Sequence, residues 1–299
     1  MALPWRIKSL NPPFGDPGFF LHHSYSGQAL LFDLGNIHKL SAKQILKASH
    51  IFISHGHIDH LIGFDHFLRI NLNQAKHLHI YGPPGIIAIV GHKLQGYNWN
   101  LTAHNELLIT THEVQEKNIE QCTFACRHKF QPGPTISTTR KSSVIFKNPT
   151  FSMASTTLDH GIDCLAFALQ EPLQVKICAA ELKRKGWPPG PWLSQVQQLL
   201  QTHSPADTTI EIAGRNYQLQ EIAEAITQIK PGLKIAYVTD TGYTQENVIS
   251  LWTLKYSIPH SSPSNSPAVM TATEPRSFGQ GNRSVSSRLY HSANPVLSQ

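Results

Sequence analysis

One short motif restricts the possible structures of this chain more than any other feature, and it reads His55-Gly56-His57-Ile58-Asp59-His60. It follows residues 50–53, an apolar stretch typical of a buried strand, and precedes a pattern typical of a helix. Where such a strand ends, the chain turns, so His55 and His57 can converge on one point while Asp59 and His60 face a second point nearby. Two neutral imidazoles suit Zn²⁺, and a carboxylate with an imidazole suits a second ion. The motif therefore predicts a metal site, and a histidine-rich surface turn is the alternative.

Strand and helix patterns alternate around this motif. Apolar stretches at 19–21, 29–32, 50–53, 78–81, 165–169 and 234–238 are typical of strands. Helical patterns occupy 41–48, the residues from Leu61 to Leu68, and 222–229. This alternation predicts an α/β protein whose sheets are covered by helices.

Composition excludes several classes of protein. The 299 residues are 40% hydrophobic and 15% charged, as in an ordinary globular protein. No apolar run is long enough to cross a bilayer, and the four cysteines form no paired CxxC clusters, so we expect no membrane association and a cytoplasmic location. The net charge of +6 is compatible with a polyanionic partner, although solubility alone also explains it.

The motif resembles the HxHxDH signature of the metallo-β-lactamase superfamily. Further stretches resemble the ribonuclease Z family of tRNA 3′-processing endonucleases within it, and they lie at 61–64, 81–85, 158–162, 187–191 and 238–241. The Gly-Pro segment Trp187-Pro188-Pro189-Gly190-Pro191 is the one that narrows the match from the superfamily to this family.

The resemblance implies a fold, a metal centre and an activity. The implied fold is an αββα sandwich with the metals at one edge of the sheets. One zinc ion would be bound by His55, His57 and His160, and the second by Asp59 and His60, with Asp240 bridging both. Asp59 would also orient the nucleophile and take its proton. The implied activity is zinc-dependent cleavage at the 3′ side of precursor tRNA by a homodimer.

A basic segment at 176–191 resembles the substrate arm of that family. The candidate RNA-binding residues in it are Lys183, Arg184, Lys185, Gly190 and Pro191. Lysines and arginines there would bind phosphates without reading the base sequence. The alternative is that these charges form an ordinary solvated surface.

The C-terminal sequence departs from the family's pattern. Residues 1–252 form the predicted hydrolase domain, whereas 253–299 are rich in Ser, Pro and Asn and have no periodicity. The family's last strand, proton-donating histidine and last zinc ligand are not recognisable there. His260 follows Asp240 too closely, and the surroundings of His291 do not match. Divergence or a shifted reading frame near Leu251 would explain this.

Two other functions therefore stay open beside the leading one. The first is hydrolysis of a small ester or cyclic nucleotide by the same fold. The second is a catalytically inactive protein that binds RNA or a partner. We expect a second metal site short of one ligand, a sheet short of its last strands, and weak activity.

Overall fold

Every side chain of the strand Ala29–Phe32 is buried, so this strand has apolar neighbours on both faces. Ala29 and Leu31 belong to one core, and Leu30 and Phe32 belong to another. This division follows from the twofold periodicity of a strand, whose successive side chains point to opposite faces. The computed structural model describes residues 4–12, 14–202, 204–256 and 268–271.

The strand belongs to an eight-stranded sheet in which neighbours in space are also neighbours in sequence. Its strands are β1 (Trp5–Ser9), β2 (Phe19–His23), β3 (Ala29–Phe32), β4 (Ala48–Phe52), β5 (His77–Gly82), β6 (Leu108–Val114), β7 (Asn118–Ala125) and β8 (Ile136–Thr139). Strands β3 to β6 are parallel, and the outer pairs are antiparallel. Helices α1 (Ala42–Lys47), α2 (Phe64–Asn71) and α3 (Ile86–Gln95) make the crossovers that parallel strands require.

A second sheet packs against the first. Its strands in spatial order are β17 (Ala268–Thr271), β16 (Lys234–Val238), β11 (Asp163–Gln170), β10 (Ser152–Asp159) and β9 (Val144–Lys147). Between the two sheets lies a core that includes Phe32, Phe52, Phe167 and Tyr237. Helices α1 to α3 cover the outer face of the first sheet, and α7 (Gln245–Tyr256) covers that of the second through Leu254. The αββα sandwich implied by the resemblance is therefore confirmed.

Residues between β11 and β16 form a separate module with a core of its own. It contains β12 (Gln174–Ile177), α4 (Ala179–Arg184), α5 (Trp192–Gln201), β13 (Thr209–Ile212), β14 (Arg215–Gln218), α6 (Leu219–Ile226) and β15 (Thr227–Lys230). Its buried side chains include Leu182, Val196 and Ile222. The predicted helix at 222–229 is wrong after Ile226, because the following residues pair as a strand with β12. We call residues 174–230 the inserted module.

The residues around the predicted boundary at 252 are helical. Helix α7 continues to Tyr256, and Leu254 is buried against Leu158 and Ala166. The expectation that the later sequence adds no strand is wrong for four residues, since β17 pairs in parallel with β16. The strand is only four residues long, and so short an apolar run does not by itself distinguish a strand from other structure.

No helix in the part of the chain that the structure describes is long and apolar enough to cross a membrane.

Candidate metal centre

The histidine motif lies where two parallel strands end. Strand β3 is followed directly by Asp33, and the neighbouring strand β4 is followed by 53–60. The carboxyl ends of neighbouring parallel strands meet at the same edge of a sheet, so these polar residues lie close together. Ser54 also ties this edge to the second sheet, because its carbonyl accepts a 2.7 Å hydrogen bond from the Leu165 amide.

A first group of three histidines lies at this edge. Ligand atoms of His55, His57 and His160 are all within 4.8 Å of one another. His55 Nε2 lies 2.9 Å from His57 Nδ1, so these two ring nitrogens face the same point. His160 comes from the other sheet, in the hairpin turn between β10 and β11, where Gly161 takes a positive φ of 77°.

A second group shares His55 with the first and adds His60 and Asp240. His60 Nε2 lies 3.1 Å from Asp240 Oδ2, and His55 Nε2 lies 4.0 Å from the same oxygen. Asp240 follows β16 in the second sheet. Asp59 stands beside this group with Oδ2 3.5 Å from His60 Nε2, and its side chain is 30% exposed. The structure thus gathers all six residues that the sequence analysis selected as metal ligands.

Asp33 is completely buried and forms hydrogen bonds to residues of the site. Its carboxylate accepts hydrogen bonds from Ser54 N at 2.7 Å and Ser54 Oγ at 2.8 Å. It also accepts from His60 Nδ1 at 2.8 Å and from the Tyr237 hydroxyl at 2.6 Å. A proton held on Nδ1 of His60 leaves Nε2 to face Asp240, which is the usual way a carboxylate orients a metal-binding histidine.

Neither Asp33 nor Tyr237 was among the predicted site residues. The signal for Asp33 was its position at a strand end in Asp33-Leu34-Gly35. Tyr237 carries no local signal, because its partner lies 204 residues away.

The carboxylates that surround His60 favour positive charge at this position. Burial opposes the charged ring, yet Asp33 and Asp240 raise the pKa of His60 to about 10. Burial by itself would raise the pKa of Asp240. The hydrogen bond and charge of His60 have the larger effect, so the pKa of Asp240 is lowered. Burial, together with the neighbouring His60, lowers the pKa of His55 to about 4, so this ring stays neutral and keeps a lone pair that can bind a metal ion.

The donor set fits a divalent ion of zinc type. It combines imidazole nitrogens with carboxylate oxygens in two groups that share His55, and a buried carboxylate holds one of the imidazoles in position. The residues therefore fit the zinc ions that the resemblance implies.

The sequence of this chain is similar to those of several ribonuclease Z proteins. No protein-family model matches it. Ribonuclease Z of Deinococcus radiodurans is 29% identical over 214 residues, which are 71% of this chain and 62% of the relative. Ribonuclease Z of Pyrococcus abyssi is 26% identical over 75% of this chain and 61% of the relative. The chain is similar to ribonuclease Z over most of its length. It spans about three fifths of the length of these ribonuclease Z relatives.

Solved structures similar to the chain include human tRNase Z, short form, at 18% identity. The likeness has a TM-score of 0.33 and covers 55% of this chain and 60% of that one. The metallo-β-lactamase fold protein YhfI from Bacillus subtilis is 15% identical with a TM-score of 0.34, covering 56% of this chain and 58% of that one.

The segment that resembles the ribonuclease Z arm is part of the inserted module and not a free extension. Lys183 and Arg184 end helix α4, and Lys185 follows it, all three exposed. Arg184 is paired with Glu181 at 2.6 Å, and Lys185 Nζ lies 5.9 Å from the centre of the Trp187 ring. Gly190 and Pro191 directly precede helix α5.

Aromatic contacts connect the Gly-Pro segment to the rest of the module. Trp187 packs 5.9 Å from Trp192 and 4.9 Å from Tyr217, measured between ring centroids. Trp192 Nε1 donates a 3.0 Å hydrogen bond to the Pro188 carbonyl. The Gly-Pro turn therefore has a defined position on a folded unit.

Two histidines considered in the sequence analysis, His260 and His291, lie outside the described residues. Arg140, which precedes the inserted module in the chain, has a structural role. Its guanidinium donates to the carbonyl oxygens of Gln115, Ser142, Ser143 and Ser155, which connects the two sheets.

Proposed function

We propose that this chain is a metal-dependent phosphodiesterase of ribonuclease Z type that cleaves precursor tRNA at its 3′ side. The observation that carries the proposal is the pair of donor groups that share His55, one completed by His57 and His160 and the other by His60 and Asp240. The similarity to ribonuclease Z supports this choice of reaction, and the donor groups support a metal centre for it.

The proposed centre would hold two zinc ions. His55, His57 and His160 would bind the first, Asp59 and His60 would bind the second, and Asp240 would be shared by both. Such a pair of ions neutralises charge that develops on the phosphate and on the leaving oxygen. Support for Asp240 between the ions comes from its Oδ2, which lies within 4.0 Å of both His55 Nε2 and His60 Nε2.

Asp59 is the proposed general base. Its side chain is partly exposed beside a buried site, so water reaches its carboxylate. In the proposed mechanism it orients the attacking water and accepts its proton. Asp33 keeps His60 in one tautomer while this happens, because it accepts the Nδ1 proton.

The inserted module is the proposed contact for the body of the tRNA. Lys183 and Lys185 are exposed cations near the Gly-Pro turn. The residues assigned to substrate binding are Lys183, Arg184, Lys185, Gly190 and Pro191. Lysines bind phosphates through charge, which suits a partner recognised by shape rather than by base sequence.

A homodimer and a cytoplasmic location complete the proposal. The dimer rests on the resemblance alone. All four cysteines are free thiols, in keeping with a reducing compartment.

The deciding experiment compares three substrates at fixed zinc concentration: precursor tRNA with a 3′ trailer, a cyclic nucleotide, and a small phosphodiester. We expect weak cleavage, specific to the 3′ side of the tRNA, and its loss in Asp59→Asn and His57→Ala. His104→Ala, at an exposed loop histidine, is the matched control and should cleave like the unaltered chain. Turnover of the cyclic nucleotide alone would reject the RNA substrate. Zinc binding without any cleavage would favour the inactive RNA-binding protein instead.

A further inference from the structure

Asn247 lies in the first turn of α7, and its side chain connects two loops of the second sheet. Only 4% of the residue is exposed. Its Nδ2 lies 2.9 Å from the Asp159 carbonyl, 2.8 Å from the Gly242 carbonyl and 2.8 Å from Thr241 Oγ1. Its Oδ1 accepts a 2.8 Å hydrogen bond from the Asp159 amide. A buried amide that uses both its donor and its acceptor groups in this way holds its partners in a fixed geometry.

Each of these loops carries one candidate ligand. Asp159 directly precedes His160, and Thr241 directly follows Asp240. The Asp159 carbonyl also accepts a 3.0 Å hydrogen bond from the Gly242 amide, so the two loops touch at the point where Asn247 joins them.

Strand pairing does not extend to these loops. Strands β11 and β16 pair from Gln170 opposite Lys234 up to Phe167 opposite Tyr237. Beyond that pair, β11 continues toward the His160 turn and β16 continues toward Asp240. The distance between the two ligands therefore depends on contacts other than the sheet, and Asn247 supplies four of them.

We propose that Asn247 is a positioning residue that sets the separation of His160 from Asp240 and so determines how tightly the centre binds metal. The inference rests on the proposed metal centre. It assigns Asn247 no contact with substrate or metal. Its effect passes through the backbone of Asp159 and Gly242, which fixes where the His160 turn stands relative to the Asp240 loop.

The test measures Co²⁺ and Zn²⁺ affinity of the full chain by chelator competition, together with the Co²⁺ absorption spectrum. Asn247→Asp keeps the size of the side chain and its acceptor oxygen but places a carboxylate oxygen against two carbonyls. A negative charge added near a cation site would by itself strengthen cation binding. We nevertheless expect metal affinity to fall about tenfold or more, because a carboxylate in place of the Nδ2 donor repels the Asp159 and Gly242 carbonyls and no longer holds the two loops together. Metal affinity should fall by a similar factor in Asn247→Ala, and the Co²⁺ spectrum should change in both Asn247 variants.

Leu254→Ala is the matched control, because it weakens the packing of the same helix against the second sheet and removes none of the side-chain hydrogen bonds of Asn247. We expect it to lower the melting temperature of the metal-free protein as much as the Asn247 variants do, while its metal affinity stays within about twofold of the unaltered chain. Metal affinities that fall in parallel with melting temperature in all three variants would overturn the proposal, as would unchanged affinity in the Asn247 variants.

The outcomes also separate this proposal from the proposed function. An unaltered chain that binds no Co²⁺ or Zn²⁺ rejects the metal centre and the positioning role with it. An unaltered chain that binds both metals, beside Asn247 variants that bind equally well, rejects the positioning role alone. If neither Asn247 variant folds, Thr241→Val provides the test, because it removes one acceptor of the Asn247 amide. An unchanged metal affinity and Co²⁺ spectrum in this variant would overturn the proposal.

Discussion

The hydroxyl of Tyr237 donates a 2.6 Å hydrogen bond to Oδ2 of Asp33, and both residues are completely buried. Asp33 follows a strand of the first sheet, and Tyr237 belongs to a strand of the second, so this bond connects the sheets directly beneath the candidate metal centre. Burial and the nearby Asp33 carboxylate hold the pKa of Tyr237 well above its usual value, which keeps the hydroxyl protonated and able to donate.

Removal of that hydroxyl should therefore destabilise the protein. Tyr237→Phe keeps the ring in the core but takes one donor from a buried carboxylate, and we expect the free energy of unfolding to fall by about 1–3 kcal/mol. Urea denaturation with chelator present measures it. Tyr25→Phe, at a tyrosine that is 82% exposed, is the control and should change stability by less than about 0.5 kcal/mol. Equal stability of both variants would show that Asp33 does not need the bond.

Asp33→Asn should weaken metal binding. Asparagine matches the size of Asp33 but cannot accept hydrogen bonds from all four of its donors, so His60 loses the carboxylate that orients it. Loss of such a partner lowers metal affinity by about 10- to 100-fold. Zinc titration against a competing chelator measures this, with circular dichroism to establish that the variant is folded. A folded variant with unchanged affinity would contradict the orienting role.

A second row of histidines, outside the metal centre, should make the fold sensitive to acid. Burial is the main cause that lowers the pKa of His50 to about 3, of His79 to about 4 and of His112 to about 3. His79 Nδ1 lies 3.1 Å from His112 Nε2, so protonation of both rings would also place two like charges together.

The direction of the pH effect follows from these values. In the unfolded chain these histidines are protonated with a pKa near 6.5, whereas in the folded chain they stay neutral until about pH 4 or below. The stabilisation is therefore complete above about pH 7 and is lost as pH falls from about 6.5 towards 4, by at most about 1.4 kcal/mol per pH unit for each buried histidine.

Urea denaturation at pH 7, 6 and 5 tests this expectation. His112→Gln removes one of the protonating rings and should reduce the slope of stability against pH. The exposed His104→Ala should leave the slope as it is. A slope unaffected by His112→Gln would place the acid sensitivity elsewhere.

Charge reversal in the inserted module should weaken RNA binding without affecting the metal. Deletion of 176–191 is unsuitable as a test, because it removes the buried Leu182 from the core of the module. Lys183→Glu with Lys185→Glu should lower affinity for precursor tRNA about tenfold and flatten its dependence on salt. Fluorescence anisotropy at two salt concentrations measures both effects. Lys39→Glu with Lys43→Glu, exposed on the first sheet's helical side, is the matched control. Equal losses in the two double variants would mean that net charge alone governs binding.

The sequence by itself determined the elements that depend on local pattern. Serine favours the position before a helix, so Ser41 indicates where α1 begins, and its hydroxyl accepts a hydrogen bond from the Gln44 amide. Strand β3, with its apolar run closed by Asp33, and strand β4 before the histidine motif were also predictable. Because four of the six ligands lie within 55–60, their proximity follows from chain connectivity alone.

Only the tertiary structure decided which distant residues complete the site. Asn247 meets Asp159 across 88 residues, and Tyr237 meets Asp33 across 204. Neither contact leaves a periodic trace, since local pattern reports which face of an element is apolar but not which element it will meet. The same limit explains β15 and β17, whose strand conformation comes from hydrogen bonds to a partner strand already in place. Side-chain periodicity lies in the sequence, whereas the pairing of sheets, loops and ligands arises when the two sheets pack.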